Sequence, residues 1–79
     1  MKKVVLFTLE GNADCEAALA FFQARGVAVE VRDVGTDPEA SLELFKRMGR
    51  LGVPTILIDE RLFVGFGHNR DEIEALLRG

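Results

Sequence analysis

A β-α-β unit is written into the first third of this chain, and it restricts the fold more than any other feature. Val4 to Leu9 is a short, nearly continuous apolar run, the pattern of a strand covered on both faces. Gly11-Asn12 ends the run. Asn12 is a good helix N-cap, and Asp14 and Glu16 fall in a first turn whose exposed N–H groups favour acidic side chains. The helix is expected to run to Arg25 and stop at Gly26. Val27, Val29 and Val31 then alternate with Ala28, Glu30 and Arg32, which predicts a second strand. Two strands joined by such a helix pair in parallel through a right-handed crossover.

The remaining segments extend this unit. Asp37-Pro38 combines an N-cap with a proline at the first helical position, opening a helix that ends near Met48-Gly49. Thr55 to Asp59 and Leu62 to Phe66 flank a tight turn at Asp59-Glu60-Arg61 and read as a hairpin. Asn69, with Glu72 three residues later, has the form of a capping box for a last helix carrying Ile73, Leu76 and Leu77. The order is β-α-β-α-β-β-α. The expectation is an α/β fold: a mixed four-stranded sheet with helices on both faces. No linker, repeat or low-complexity stretch divides residues 1–79, which read as one domain.

Composition removes several function classes. One cysteine excludes an internal disulfide framework, and one Cys with one His cannot close a zinc site. The core must therefore be apolar packing alone, and the six phenylalanines read as part of it. Net charge is −3 and the ten basic residues are scattered, so no phosphate-neutralising cluster exists and nucleic acid is not an expected partner. Met1-Lys2-Lys3 before Val4-Val5-Leu6-Phe7 imitates a signal peptide, but the apolar run stops before Glu10. No apolar run approaches the ~20 residues of a membrane helix. A soluble cytoplasmic protein, not a membrane protein, is the expectation.

The order of elements, the length, the strand-to-helix junction at residues 11 to 15 and the segment Gly52-Val53-Pro54-Thr55 together resemble the glutaredoxins, a family with the thioredoxin-like fold. Val64-Gly65-Phe66 before a helix looks closer to the glutaredoxin-like electron donors of ribonucleotide reductase. The resemblance covers essentially the whole chain. It implies a cis Val53-Pro54 bond beside the active site, with Val53 offering its backbone to the substrate. It implies no cofactor; glutathione or a protein thiol or disulfide would be the substrate or partner. Val53, Pro54, Gly65 and Asn69 are the expected substrate-contacting positions.

This chain departs from the family at the point where the chemistry occurs. The family carries Cys-x-x-Cys at the strand-to-helix junction; here Asn12 holds the first position and Cys15 the second. The first cysteine is the exposed nucleophile of the family, and an amide cannot attack a disulfide. The second is the resolving thiol. One thiol cannot cycle through an internal disulfide. The helical pattern agrees: Cys15, Ala18, Leu19 and Phe22 fall on one core-facing stripe, so Cys15 reads most simply as a buried thiol.

Charge around the junction also differs. Glu10, Asp14 and Glu16 are close in sequence, and no Lys or Arg lies between Lys3 and Arg25. The Gly-Gly and Asp that hold glutathione in the family are only partly echoed by Gly65, Gly67 and Asn69, leaving Arg47 or Arg50 to hold a carboxylate. His68 is expected to face solvent. Two readings follow. One is an atypical redox protein with weak or altered activity in which Cys15 alone forms mixed disulfides. The other is a non-catalytic binding module that holds a peptide partner in the groove beside Pro54.

Overall fold

The computed structural model describes residues 2–78. Four strands form one sheet: β1 (Val4–Thr8), β2 (Val29–Asp33), β3 (Thr55–Ile58) and β4 (Arg61–Val64). Three helices connect or follow them: α1 (Ala13–Ala24), α2 (Pro38–Met48) and α3 (Arg70–Arg78), the last entered through a 3-10 turn at Gly67–Asn69. The strand order is β2-β1-β3-β4. β1 and β2 are parallel, with Val4 opposite Val29; β1–β3 and β3–β4 are antiparallel. The expected mixed sheet with helices on both faces is the architecture found.

Alternation along β1 divides the core in two. Val4 and Leu6 point to one face, where they meet Ala18, Phe21 and Phe22 of α1, Ile56 and Ile58 of β3, and Ile73 of α3. Val5 and Phe7 point to the other face, under Ala40 and Leu44 of α2. Each face removes apolar area from water at roughly 25 cal/mol per Å2. With no disulfide possible, that burial is the main favourable term holding the fold together.

Local chemistry explains most boundaries and corrects some expected ones. α1 closes in a double bond pattern: Gly26 N–H donates to Gln23 O, and Val27 N–H to Phe22 O. Val27 is thus spent on ending the helix, which is why β2 begins at Val29 and not at Val27. Val31 is 46% exposed because β2 is an edge strand. The hairpin turn contains two residues, Asp59 and Glu60, and Arg61 already pairs with Ile58. Asp59 takes φ +52°, which aspartate tolerates in such a turn. Its N–H donates to Lys3 O, and its carboxylate accepts the Lys3 N–H, pinning the turn to the start of β1.

α2 opens as expected, with the Asp37 side chain accepting the Glu39 N–H at 3.0 Å and Pro38 in the first turn. It ends at Gly49 with φ +74°. Phe45 is a correction. It is 53% exposed, because the narrow strip of sheet under one helix is filled by Ala40, Leu44 and Met48. The other five phenylalanines are buried.

The expected capping box at Asn69 does not form. The 3-10 turn runs directly into α3, and the Asn69 side-chain amide donates backwards to Val64 O and Gly65 O at 2.9 and 2.8 Å. Glu72 turns outward to Arg61.

Candidate functional site

The site is assembled where the C-terminal end of β1 meets the start of α1. Asn12 has extended backbone (φ −86°, ψ 118°), and its Oδ1 accepts the Cys15 N–H at 2.9 Å. The amide at this position is therefore a working N-cap. Cys15 follows in the first turn, 1% exposed, above Ala18 and Phe22 on the stripe that faces the core. Its thiol is free. The first turn thus offers an amide at its half-exposed end and a thiol at its buried side.

The structure joins this turn to the rest of the expected site through hydrogen bonds. The Asp14 carboxylate accepts the Phe66 N–H at 2.7 Å and the Gly67 N–H at 3.1 Å. Asn69 grips the Val64 and Gly65 carbonyls, and the Gly65 N–H donates to Pro54 O at 2.8 Å. A continuous path therefore links Asn12, Asp14 and Cys15 to Gly65, Asn69 and Pro54. The Val53-Pro54 peptide is cis, as the resemblance implied. Thr55, fully buried, holds the approach to it by donating its hydroxyl to Gly52 O at 2.6 Å. The Val53 side chain packs into the core under α2. The Val53 N–H and C=O take part in none of the loop hydrogen bonds among the described residues.

Gly65 holds a backbone conformation that L side chains rarely adopt, and a side chain there would also have to displace the His68 ring. Its φ is +85°, and a Cβ there would lie 2.5 Å from the His68 imidazole. His68 is exposed, as expected, with its ring folded over Gly65. The two candidate carboxylate holders separate. Arg47 pairs with Glu43 at 3.3 Å and lines a cavity of about 310 Å3 between α2 and the sheet, with Lys3 and Arg32. Arg50 instead reaches back toward Gly52, with Nε 3.9 Å from where a Cβ would stand. Arg50, not Arg47, is the cation beside the Pro54 loop.

Sequence reasoning missed the role of Asp14. It read the residue as a first-turn acid of α1, yet the carboxylate also caps the turn before α3. The bond spans 52 residues, and no local pattern announces it. No cluster of three or more His, Cys, Asp or Glu able to hold a metal occurs among the described residues. None of the described helices is long and apolar enough to cross a membrane.

A β1-β3-β4 antiparallel set with a parallel β2, a helix whose first turn carries the thiol position, and a cis-proline loop joined to it define a thioredoxin-like protein. The sequence profile described as Glutaredoxin matches residues 4–63, and the chain belongs to the glutaredoxin family. Solved structures agree. A thioredoxin-like protein is 28% identical with a TM-score of 0.78, covering 96% of this chain and 97% of that one. The glutaredoxin of Brucella melitensis is 28% identical with a TM-score of 0.70, covering 95% and 87%. NrdH-redoxin of Escherichia coli, a glutaredoxin-like protein, is 24% identical with a TM-score of 0.76, covering 94% and 93%. Compared by sequence, no curated protein matches the chain.

Proposed function

We propose that this chain is a glutaredoxin-family redox protein of weak or altered activity, in which Cys15 is the sole reacting thiol. The observation that carries the reading is the burial of Cys15 at 1% exposure behind an Asn12 N-cap. Exchange then needs the first turn of α1 to open. The Cys15 thiolate attacks a mixed disulfide, one partner thiolate leaves, and Cys15 keeps the other partner in a new disulfide. A second thiol, such as glutathione, attacks that bond and regenerates Cys15. No internal disulfide is available to speed release.

The expected substrate side of the groove is Val53, Pro54, Gly65 and Asn69, with Arg50 as the nearby cation. The unengaged main chain of Val53 supports a partner that pairs its backbone there, whether a glutathione adduct or a peptide. The test is turnover of a glutathione mixed disulfide in the presence of glutathione. Turnover far below that of the Asn12→Cys variant agrees with the proposal. Equal, high turnover would show that Cys15 is an accessible nucleophile in the native chain.

The same burial favours a second reading, a non-catalytic module that binds a peptide beside Pro54. It is separated from the first by Cys15→Ala. Loss of residual turnover in that variant supports redox work; unchanged peptide capture with no turnover in either chain supports binding alone.

A further inference from the structure

We propose that the outer face of α2 is the interface of a weak, two-fold symmetric homodimer, in which the helix packs antiparallel against its own copy. Among the described residues α2 is the one helix on its side of the sheet, so its outer face is the crown of the molecule. That face is apolar where solvent exposure calls for polar residues. Leu42 and Phe45 are 55% and 53% exposed, one turn apart, with Pro38 on the same stripe. The buried stripe of the helix is a different one, Ala40, Leu44 and Met48. α2 is thus apolar on two sides, and the core uses one of them.

Charge identifies the occupant. The N-terminal half of α2 carries Asp37 and Glu39, and its C-terminal half carries Lys46, Arg47 and then Arg50. An antiparallel copy sets each acidic end against a basic end. The spacing is self-complementary in detail. Glu39 and Lys46 are seven residues apart, two helical turns, and so lie on the same flank of the Leu42–Phe45 stripe. A two-fold axis in the interface, perpendicular to the helices, keeps each flank facing the same flank of the copy and reverses its direction. It brings Glu39 opposite Lys46 of the copy, and Lys46 opposite Glu39, while Leu42 and Phe45 meet across the axis. The centre between Glu39 and Lys46 and the centre between Leu42 and Phe45 differ by one residue, about 1.5 Å of helix rise. Neither Glu39, Lys46 nor Arg50 has an ion-pair partner among the described residues. A net charge of −3 opposes association of the whole chains, and the local pattern at α2 offsets it. A contact between two eleven-residue helices falls at the small end of specific interfaces, so the dimer is weak.

Sedimentation velocity from about 10 μM to about 1 mM tests this, a range that spans weak association. The expected result is a concentration-dependent shift from monomer to dimer. Phe45→Glu and Leu42→Ser, both at exposed positions, should each raise the dissociation constant about ten-fold or more with an unchanged circular dichroism spectrum. Lys46→Glu should weaken the dimer, and Glu39→Lys with Lys46→Glu should restore it, because the swapped charges again face each other. A monomer throughout the range overturns the proposal, even if the face proves to bind another protein. So does a dimer that survives both apolar substitutions, or a charge swap that fails to rescue. None of these outcomes depends on whether Cys15 reacts.

Discussion

Asp14 and Phe66 are joined across 52 residues of sequence: the carboxylate of the first accepts the backbone N–H of the second at 2.7 Å. The same carboxylate takes the Gly67 N–H at 3.1 Å. One side chain therefore ties the turn that holds Cys15 to the turn that opens α3. Removing it leaves a part-buried donor without a partner. Asp14→Ala should cost about 1–3 kcal/mol, and Asp14→Asn, which keeps one acceptor, should cost less. Urea denaturation of the three proteins measures the order. A stability for Asp14→Ala equal to that of the unaltered chain would mean the bond contributes nothing.

Cys15 should react slowly with an aromatic disulfide reagent in the folded protein and rapidly in denaturant. The reason is access: the side chain is 1% exposed and its turn is held by the Asn12 cap. Labelling kinetics with and without denaturant give the comparison. Equal rates would contradict the buried placement.

Asn12→Cys should form a disulfide between positions 12 and 15 and raise disulfide reductase activity. The new thiol would stand at the open end of α1, where the helix N-terminus favours a thiolate. Replacing the Asn cap costs about 1 kcal/mol, so the variant should still fold. Glu10 and Asp14, close in sequence, oppose the thiolate, yet turnover should still rise far above that of the native chain. Mass spectrometry after mild oxidation, with a reductase assay, decides the outcome. A folded variant with no disulfide and no activity would favour the binding-module reading.

The Glu43 carboxyl is held below its ordinary value of 4.5, first by the hydrogen bond from Arg32; burial opposes this, and Arg47 adds a lesser lowering. A depressed folded-state value stabilises the protein above the unfolded-state pKa, and that stability is lost as pH falls through the folded-state value. Glu43→Gln should therefore reduce stability at neutral pH and flatten the loss below about pH 4.5. The side chains are partly exposed, so solvent screening keeps the effect under ~1 kcal/mol. Thermal melts of both proteins between neutral and acid pH would show it, and parallel curves would remove Glu43 as a source of acid sensitivity.

Much of the fold was legible because its signals are local. The Asn12 and Asp37 caps, the glycine stops at Gly26 and Gly49, and the apolar run of β1 each act within a few residues of themselves. The core stripe of α1 was legible for the same reason, since helical periodicity alone places Cys15, Ala18 and Phe22 together. Asn69 shows where local reading fails. Its spacing to Glu72 has the form of a cap, but the carbonyls of Val64 and Gly65 compete for the amide and win. Phe45 and Val31 fail differently. Their types suit a core, yet one helix on a sheet face and an edge strand leave no partner surface for them.

By itself the sequence determined the element order, the ends of α1 and α2, the division of β1 between two cores, and an amide in place of the first thiol. Each of these depends on backbone stereochemistry or on a periodicity that repeats within one element. The tertiary structure decided which groups meet across the chain: Asp14 with Phe66 and Gly67, and Lys3 with Asp59. Those meetings depend on where the strand order β2-β1-β3-β4 brings distant backbone together. A hydrogen bond between residues 52 positions apart exists only after the sheet has closed that distance, so it leaves no mark on the residues beside it.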